Sequence, residues 1–314
     1  MSAAPSASRI RILVTGANSF SARFLLPALA ARDDVAAIAA TGLQPQGPAG
    51  TEYAVAQIQD ARAMRAVVAG ARPDVVFHLA GIASNDADLC FAVNVDGTRH
   101  LIDACAAHGA ATRVLLVSSA AVYGLTRDDE SPVSERTPPR PITPYGVSKA
   151  AAELYALGAH RRRAVRAAVV RPFNLVGPGL RAGMAPSDFV AQAAAIRDGR
   201  ASPELHVGNL EPRRDFLDVR DAVDAYQRLA FRDDVWGDTF NVASGVPVAV
   251  GDLLRTILRL AGVEARIVPD PARQRAVEVV EQVGDSAKLR SLLGWTPRYD
   301  LERSLSEMVS GSSG

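Results

Sequence analysis

Tyr145 and Lys149 stand four residues apart in the run Tyr145-Gly146-Val147-Ser148-Lys149, which reads as the opening of a helix. Residues four apart share one helical face, so a phenol and an ammonium can enter the same site. A cation beside a phenol stabilises the phenolate and lowers its pKa. Such a phenol can exchange a proton with an alcohol or carbonyl while hydride moves. Ser118 and Ser119 end an apolar run from Val114 that reads as a strand. Strand ends of open parallel sheets are where ligands sit, and a hydroxyl there can hold a substrate oxygen.

A second stretch could hold a nucleotide. Ile10 to Val14 reads as a buried strand, followed by the turn Thr15-Gly16-Ala17-Asn18-Ser19-Phe20 and then a helix. A helix N-terminus offers unpaired N–H groups and partial positive charge, a ready setting for a dinucleotide pyrophosphate. Only Gly16 of the three usual glycines is present. An acidic residue on the adenosine ribose is expected roughly 20 residues further on. Ala39-Ala40-Thr41-Gly42 stands there instead. A carboxylate would repel a 2′-phosphate, so its absence favours NADP(H) over NAD(H).

These groups need a scaffold. Strands are expected at Ile10–Val14, Val35–Ala40, Val75–Leu79, Val114–Val117 and Ala167–Val170. Helices are expected at Phe20–Arg32, Ala61–Ala69, Asp86–His108 (with an irregular start) and Tyr145–His160. Strands alternating with helices imply a parallel sheet covered on both faces. Past Pro172 the rhythm breaks, and Pro and Gly punctuate the chain to Pro186. Beyond lie short strand candidates at Leu205–Val207, Phe216–Val219 and Ile267–Val268. Helices are expected at Asp221–Phe231, Gly251–Leu260 and Ser286–Leu293. The first eight residues and 309–314 read as tails outside the fold.

Composition narrows the classes. A net charge of +1 carries no basic excess for nucleic acid and no polybasic cluster for a membrane surface. No apolar run approaches the roughly 20 residues of a membrane span. Cys90 and Cys105 are too far apart for a metal or redox pair, so they read as core thiols of a reducing, cytoplasmic compartment, and no metal site is expected.

Together these pieces resemble the extended short-chain dehydrogenase/reductases, the nucleotide-sugar epimerase/dehydratase/reductase group, from about Arg9 to Leu305. The carrying stretches are Thr15-Gly16-Ala17, His78-Leu79-Ala80-Gly81, Asn94-Val95-Asp96-Gly97-Thr98, Ser118 to Gly124, Tyr145 to Lys149 and Arg171-Pro172-Phe173-Asn174. The C-terminal half is similar to the GDP-4-keto-6-deoxy-mannose reductases and their GDP-mannose dehydratase relatives, through Arg171–Gly179, Val207–Asp218, Asp270–Arg273 and Gly294–Pro297.

The resemblance implies an α/β fold: a Rossmann-type doubly wound parallel sheet with a smaller mixed α/β C-terminal substrate lobe. The dinucleotide domain would span 9–172, with segments of about 215–245 returning to it, and the lobe 173–308. It implies catalytic roles for Ser119, Tyr145 and Lys149. Gly16, Asn18, Ser19, Phe20, Thr41, Gln57, Ile58, Leu79, Ala80, Gly81, Ser118, Tyr145, Lys149, Pro172 and Phe173 would bind the cofactor. Ser119, Asn174, Arg214, Arg275 and Glu278 would bind a nucleotide-sugar substrate. Guanidinium forks suit phosphates and a carboxylate suits a ribose diol. The resemblance also implies a homodimer.

The chain departs from these relatives at several points. Ser19 and Ala22 replace glycines, Gln57 replaces an Asp near adenine, and Gly81 to Asn94 is shorter. Ala121 stands where the dehydratases carry a catalytic Glu, which disfavours dehydration. The reading is a nucleotide-diphospho-sugar 4-keto reductase acting on a GDP-4-keto-6-deoxy-hexose-like substrate. The alternatives are a 4-epimerase with tightly held NAD, or a non-catalytic dinucleotide sensor.

Overall fold

The computed structural model describes residues 9–109, 111–127, 130–274 and 277–311. In chain order it runs β1 (Ile10–Thr15), α1 (Ala22–Ala30), β2 (Val35–Gly42), β3 (Glu52–Val55), α2 (Ala61–Ala71), β4 (Val75–His78), α3 (Ala87–Cys90), a π-helical turn (Phe91–Asp96) and α4 (Gly97–His108). β5 (Arg113–Val117), α5 (Pro144–Arg161), β6 (Arg166–Pro172), β7 (Asn174–Val176), α6 (Ala185–Arg197), β8 (Glu204–Val207), β9 (Arg213–Asp218) and α7 (Val219–Ala230) follow. The remainder is β10 (Thr239–Val242), β11 (Pro247–Ala249), α8 (Val250–Ala261), β12 (Arg266–Pro269), β13 (Glu281–Gln282), α9 (Ala287–Leu293) and α10 (Leu301–Ser310).

The main sheet has the order β10-β6-β5-β4-β1-β2-β3. The pairings from β3 through β6 are parallel. The order reverses between β1 and β4, the switch point where doubly wound sheets bind ligands. Side chains alternate across the sheet. Val76 enters one core with Met64 of α2, Leu101 of α4 and Ala156 of α5. Its neighbour Phe77 points the other way and meets Phe231, just past α7, with ring centroids 6.4 Å apart. Helix starts follow from local chemistry. The Asp60 carboxylate caps α2 at Arg62 and Ala63, and Thr143 caps α5 at Gly146 with Pro144 in the first turn.

The chain groups into two units: Met1–Ala121, Thr143–Val170 and Tyr226–Thr239 in one, and Val122–Ile142, Arg171–Ala225 and Phe240–Gly314 in the other. In the second unit β9 pairs antiparallel with β11 and parallel with β7 and β13, and β8 pairs parallel with β12. Phe189 of α6, Ile257 of α8 and Leu305 of α10 fill its core.

Three differences from the expected elements have physical causes. The irregular turn of the Asp86–His108 helix lies in its middle, at Phe91–Asp96, rather than at its start. The helix α6 begins inside the stretch to Pro186 that was expected to be irregular, and Pro186 is tolerated because it sits in the first helical turn. Residues 309 and 310, assigned to a tail, belong to α10, where Leu305, Met308 and Val309 are buried on one face. The expected tails at 1–8 and 312–314 lie outside the described residues. Among the described residues, no helix is long and apolar enough to cross a membrane, and no cluster of His, Cys, Asp and Glu could hold a metal ion.

Gly97, at the start of α4, leaves room for Ile58: a Cβ there would lie 2.7 Å from Ile58 Cγ2. Gly97→Val is expected to cost about 1–3 kcal/mol through overpacking. A urea midpoint equal to wild type would contradict this packing.

Candidate active site

The turn after β1 is held from three sides. Gly16 has φ +72°, and a Cβ there would sit 2.6 Å from the backbone nitrogen of Ala80, so no other residue fits without moving the chain. The Leu79 amide donates to Thr15 O (3.1 Å), and the Ala17 amide to Thr41 O (3.0 Å). The turn thus lies against the ends of β4 and β2. Ser19, which stands in place of a glycine, accepts from the Ala22 amide at 3.4 Å and so serves the first turn of α1. Phe20 packs edge-on against Phe24. Asn18 is exposed, and the Tyr53 hydroxyl reaches both its Oδ1 (3.1 Å) and Gln44 O (2.9 Å). Gln57 is exposed as well, whereas the Ile58 side chain is buried in the core against Gly97.

Two strand-end hydroxyls are buried without a protein partner, Thr41 Oγ1 in the last two residues of β2 and Ser118 Oγ just after β5. Leaving a buried hydroxyl unpaired costs about 1–3 kcal/mol. Both lie at carboxyl ends of parallel strands, so a ligand's polar atoms are their natural partners. The glycine cradle and these two hydroxyls fit a nicotinamide dinucleotide.

The catalytic candidates share the first unit. Thr143 and Pro144 start α5, which puts Tyr145 in the first turn and Lys149 one turn later. Lys149 is only 4% exposed and donates from Nζ to Val117 O at 2.6 Å, at the end of β5. Burial pushes its ammonium down to about 8, and the Glu153 carboxylate, buried one turn further on, works against that shift. Ser119, two residues past Val117, accepts the Ala121 amide on Oγ at 3.1 Å. The carbonyl that fixes Lys149 is therefore two residues from Ser119. Tyr226 adds a buried hydroxyl, raised by burial and then by the Tyr145 phenol.

Four residues given no separate role in the sequence reading tie these parts together. Asn94, buried in the π-helical turn, donates from Nδ2 to Ile82 O (2.9 Å) and to Ser148 Oγ (2.9 Å), and accepts the Ile82 amide on Oδ1 (2.8 Å). Ser148 donates to Tyr145 O at 2.8 Å. Buried His78 lies between Thr15 Oγ1 (2.7 Å from Nδ1) and Thr98 Oγ1 (2.9 Å from Nε2). Burial and then the Lys149 charge push the imidazole down to about 3, so it is neutral. The usable signal in the sequence was a polar residue at an otherwise apolar position, as with Asn94 and Thr98 inside the Asp86–His108 helix.

The second unit holds the residues assigned to substrate. Asn174 donates to Asp215 O at 2.9 Å. The Asp215 carboxylate is buried and accepts from Ser244, Gly245 and Gly284, and burial outweighs these donors and raises its pKa. Arg214 Nη2 donates to Glu278 Oε1 at 2.6 Å, so the assigned phosphate ligand and ribose acceptor form one half-buried ion pair. Arg275 lies outside the described residues. Pro172 and Phe173 are buried, and Phe173 stacks on Tyr123 at 6.2 Å.

A reversed-order parallel sheet, a glycine turn and a helix-borne tyrosine and lysine at a strand end define an NAD(P)-dependent short-chain dehydrogenase/reductase. The chain belongs to the family of the GDP-mannose 4,6 dehydratase, whose model matches residues 33–308. It is 36% identical to the GDP-6-deoxy-D-mannose reductase of Pseudomonas aeruginosa over 243 residues, covering 76% of this chain and 80% of that protein. It is 28% identical to the dTDP-L-rhamnose 4-epimerase of Burkholderia thailandensis, covering 95% and 93%. The solved structure of RMD from Pseudomonas aeruginosa with NADPH superposes with a TM-score of 0.85 at 30% identity, covering 96% of this chain and 98% of that one.

Because the His78 pKa is lower in the folded chain than in the unfolded one, the unfolded chain takes up a proton first as pH falls. Stability is then lost below the unfolded value of 6.5. Relative to His78→Gln, wild type should lose about 2–3 kcal/mol between pH 7 and pH 4.5. Parallel urea midpoints for the two proteins at both pH values would contradict a neutral buried imidazole.

Proposed function

We propose that the protein reduces the 4-keto group of a nucleotide-diphospho-sugar, of the GDP-4-keto-6-deoxy-hexose class. The observation that carries this reading is the arrangement around Lys149: a buried ammonium, bound to the strand end two residues before Ser119 and one turn after Tyr145. A bound nicotinamide cofactor supplies the hydride. Tyr145 donates its phenolic proton to the carbonyl oxygen as negative charge develops there. Lys149 stabilises the phenolate left behind. Ser119 Oγ accepts the Ala121 amide, which leaves its O–H to bond the same carbonyl oxygen. Ala121 presents a methyl group, so this position supplies no base to remove a ring proton, and reduction is favoured over dehydration. The similarity to GDP-6-deoxy-D-mannose reductase supports the same choice.

Arg214 and Glu278 are the candidates to receive the nucleotide, the guanidinium at a phosphate and the carboxylate at the ribose hydroxyls. The similarity to a 4-epimerase over nearly the whole chain supports a second reading, in which cofactor is regenerated within each turnover. Stoichiometry separates the two. A reductase consumes one NADPH per product, followed by loss of nicotinamide absorbance, whereas an epimerase consumes none. Tyr145→Phe is expected to lower turnover about 100-fold or more, the scale of a general acid, with cofactor affinity unchanged. Wild-type turnover in that variant would refute the assignment.

NADPH is the preferred reductant in this reading. No carboxylate directly follows β2, and Thr41, near the end of that strand, offers a buried, unpartnered hydroxyl. Thr41→Asp is expected to lower the NADPH to NADH ratio of kcat/KM about tenfold, a change of about 1.4 kcal/mol. An unchanged ratio would place cofactor selection elsewhere.

A further inference from the structure

The first unit contains a hydrogen-bonded chain whose donor sense is fixed. Thr98 Oγ1 donates its proton to Asn94 O at 2.6 Å. Its remaining capacity toward His78 is as acceptor, so His78 Nε2 carries a hydrogen and donates across 2.9 Å. A neutral imidazole has one N–H, so Nδ1 is bare and accepts the Thr15 hydroxyl proton at 2.7 Å. Thr15 Oγ1 in turn accepts the Ala80 amide at 3.4 Å. The imidazole has no rotameric or tautomeric freedom left.

We propose that His78 is a positioning residue that joins, through Thr15 on one ring nitrogen and Thr98 on the other, the cofactor turn to Asn94 and so to the helix bearing Tyr145 and Lys149. The second half of the linkage is specific. Asn94 takes both the N–H and the C=O of Ile82, as a paired strand would, and gives its other amide hydrogen to Ser148 of α5. The segment after β4, which meets the cofactor turn at Leu79 and Ala80, is thereby clamped to α5. The spacing there is tight: a Cβ on Gly81 would stand 3.0 Å from Asn94 Oδ1 and 3.6 Å from Lys149 Nζ. The linkage passes through Asn94 in the π-helical turn. That turn widens the helix at Phe91–Asp96, where the Asn94 carbonyl takes the Thr98 hydroxyl. A displacement of the cofactor turn is transmitted along bonds of defined direction to the first turn of α5.

The inference rests on the reductase reading for its kinetic consequence but not for its structural one. Thr98→Val removes the hydroxyl between His78 and Asn94, and Thr98→Ser restores it. His78→Gln retains an amide that can donate to Thr98 while giving up the Thr15 bond. Amide hydrogen exchange is read with and without NADPH, alongside NADPH affinity from nicotinamide fluorescence and turnover with GDP-4-keto-6-deoxy-mannose. Thr98→Val is expected to exchange about tenfold faster at residues 91–96 and 145–149, with the β1 to β5 amides unchanged. Its kcat should fall about tenfold while NADPH affinity stays within threefold, and Thr98→Ser should recover both. His78→Gln is expected to show the opposite split, weaker NADPH with kcat largely kept. Loosening of both segments in Thr98→Val without turnover by wild type would refute the reductase reading and uphold the linkage. Wild-type exchange at 91–96 and 145–149 in Thr98→Val, or equal losses in Thr98→Val and Thr98→Ser, would overturn it.

Discussion

The ammonium of Lys149 is a charge taken out of water, and the candidate active site is organised by what that requires. An ammonium without solvent needs oxygen acceptors and opposite charge nearby. It finds a carbonyl at the end of β5 and a carboxylate one turn along α5. Binding that carbonyl ties α5 to the end of β5, two residues before Ser119. The same desolvation lowers the cost of releasing the proton, so the group holds its charge at neutral pH by a margin of about one unit. A lysine poised in this way stabilises a neighbouring phenolate more strongly than a hydrated one would.

Neutral polar groups keep that charge from being dissipated. His78 is an uncharged ring under the influence of the lysine, its one N–H committed to Thr98 and its bare nitrogen to the Thr15 hydroxyl. Asn94 spends its whole amide on Ile82 and Ser148. Among the described residues the hydroxyls of Thr41, Ser118 and Tyr226 are buried without a protein partner. Thr41 and Ser118 stand at the carboxyl ends of parallel strands, where ligands of open sheets sit.

Much of this could be read from residue order because it is local. The Tyr145 and Lys149 pair needs only helical spacing, and the parallel strands announce themselves as apolar runs such as Val75–Phe77. The turn after β1 was legible from a strand, small residues and a helix in succession, and the fate of Ser19 was not, because its hydroxyl turns to the Ala22 amide within the same turn. Short strands such as β7 and β13 form because β9 is beside them, a cause absent from their own few residues. The ion pair of Arg214 and Glu278 joins positions 64 apart, so their assigned roles could be stated separately but not their contact. Asn94 and His78 were visible as motif members. Their function depends on partners distant in the sequence, Ile82 and Ser148 for Asn94 and Thr15 and Thr98 for His78, which no periodicity signals.

The central claim is that Lys149 is a desolvated yet charged group beside Tyr145. The most direct measurement is the titration of the Lys149 side chain, followed by the 13Cε resonance of labelled lysine and assigned with Lys149→Arg. A midpoint near pH 8 is expected, displaced from the 10.5 of an unperturbed lysine. A midpoint at the unperturbed value would show a solvated ammonium and contradict that claim.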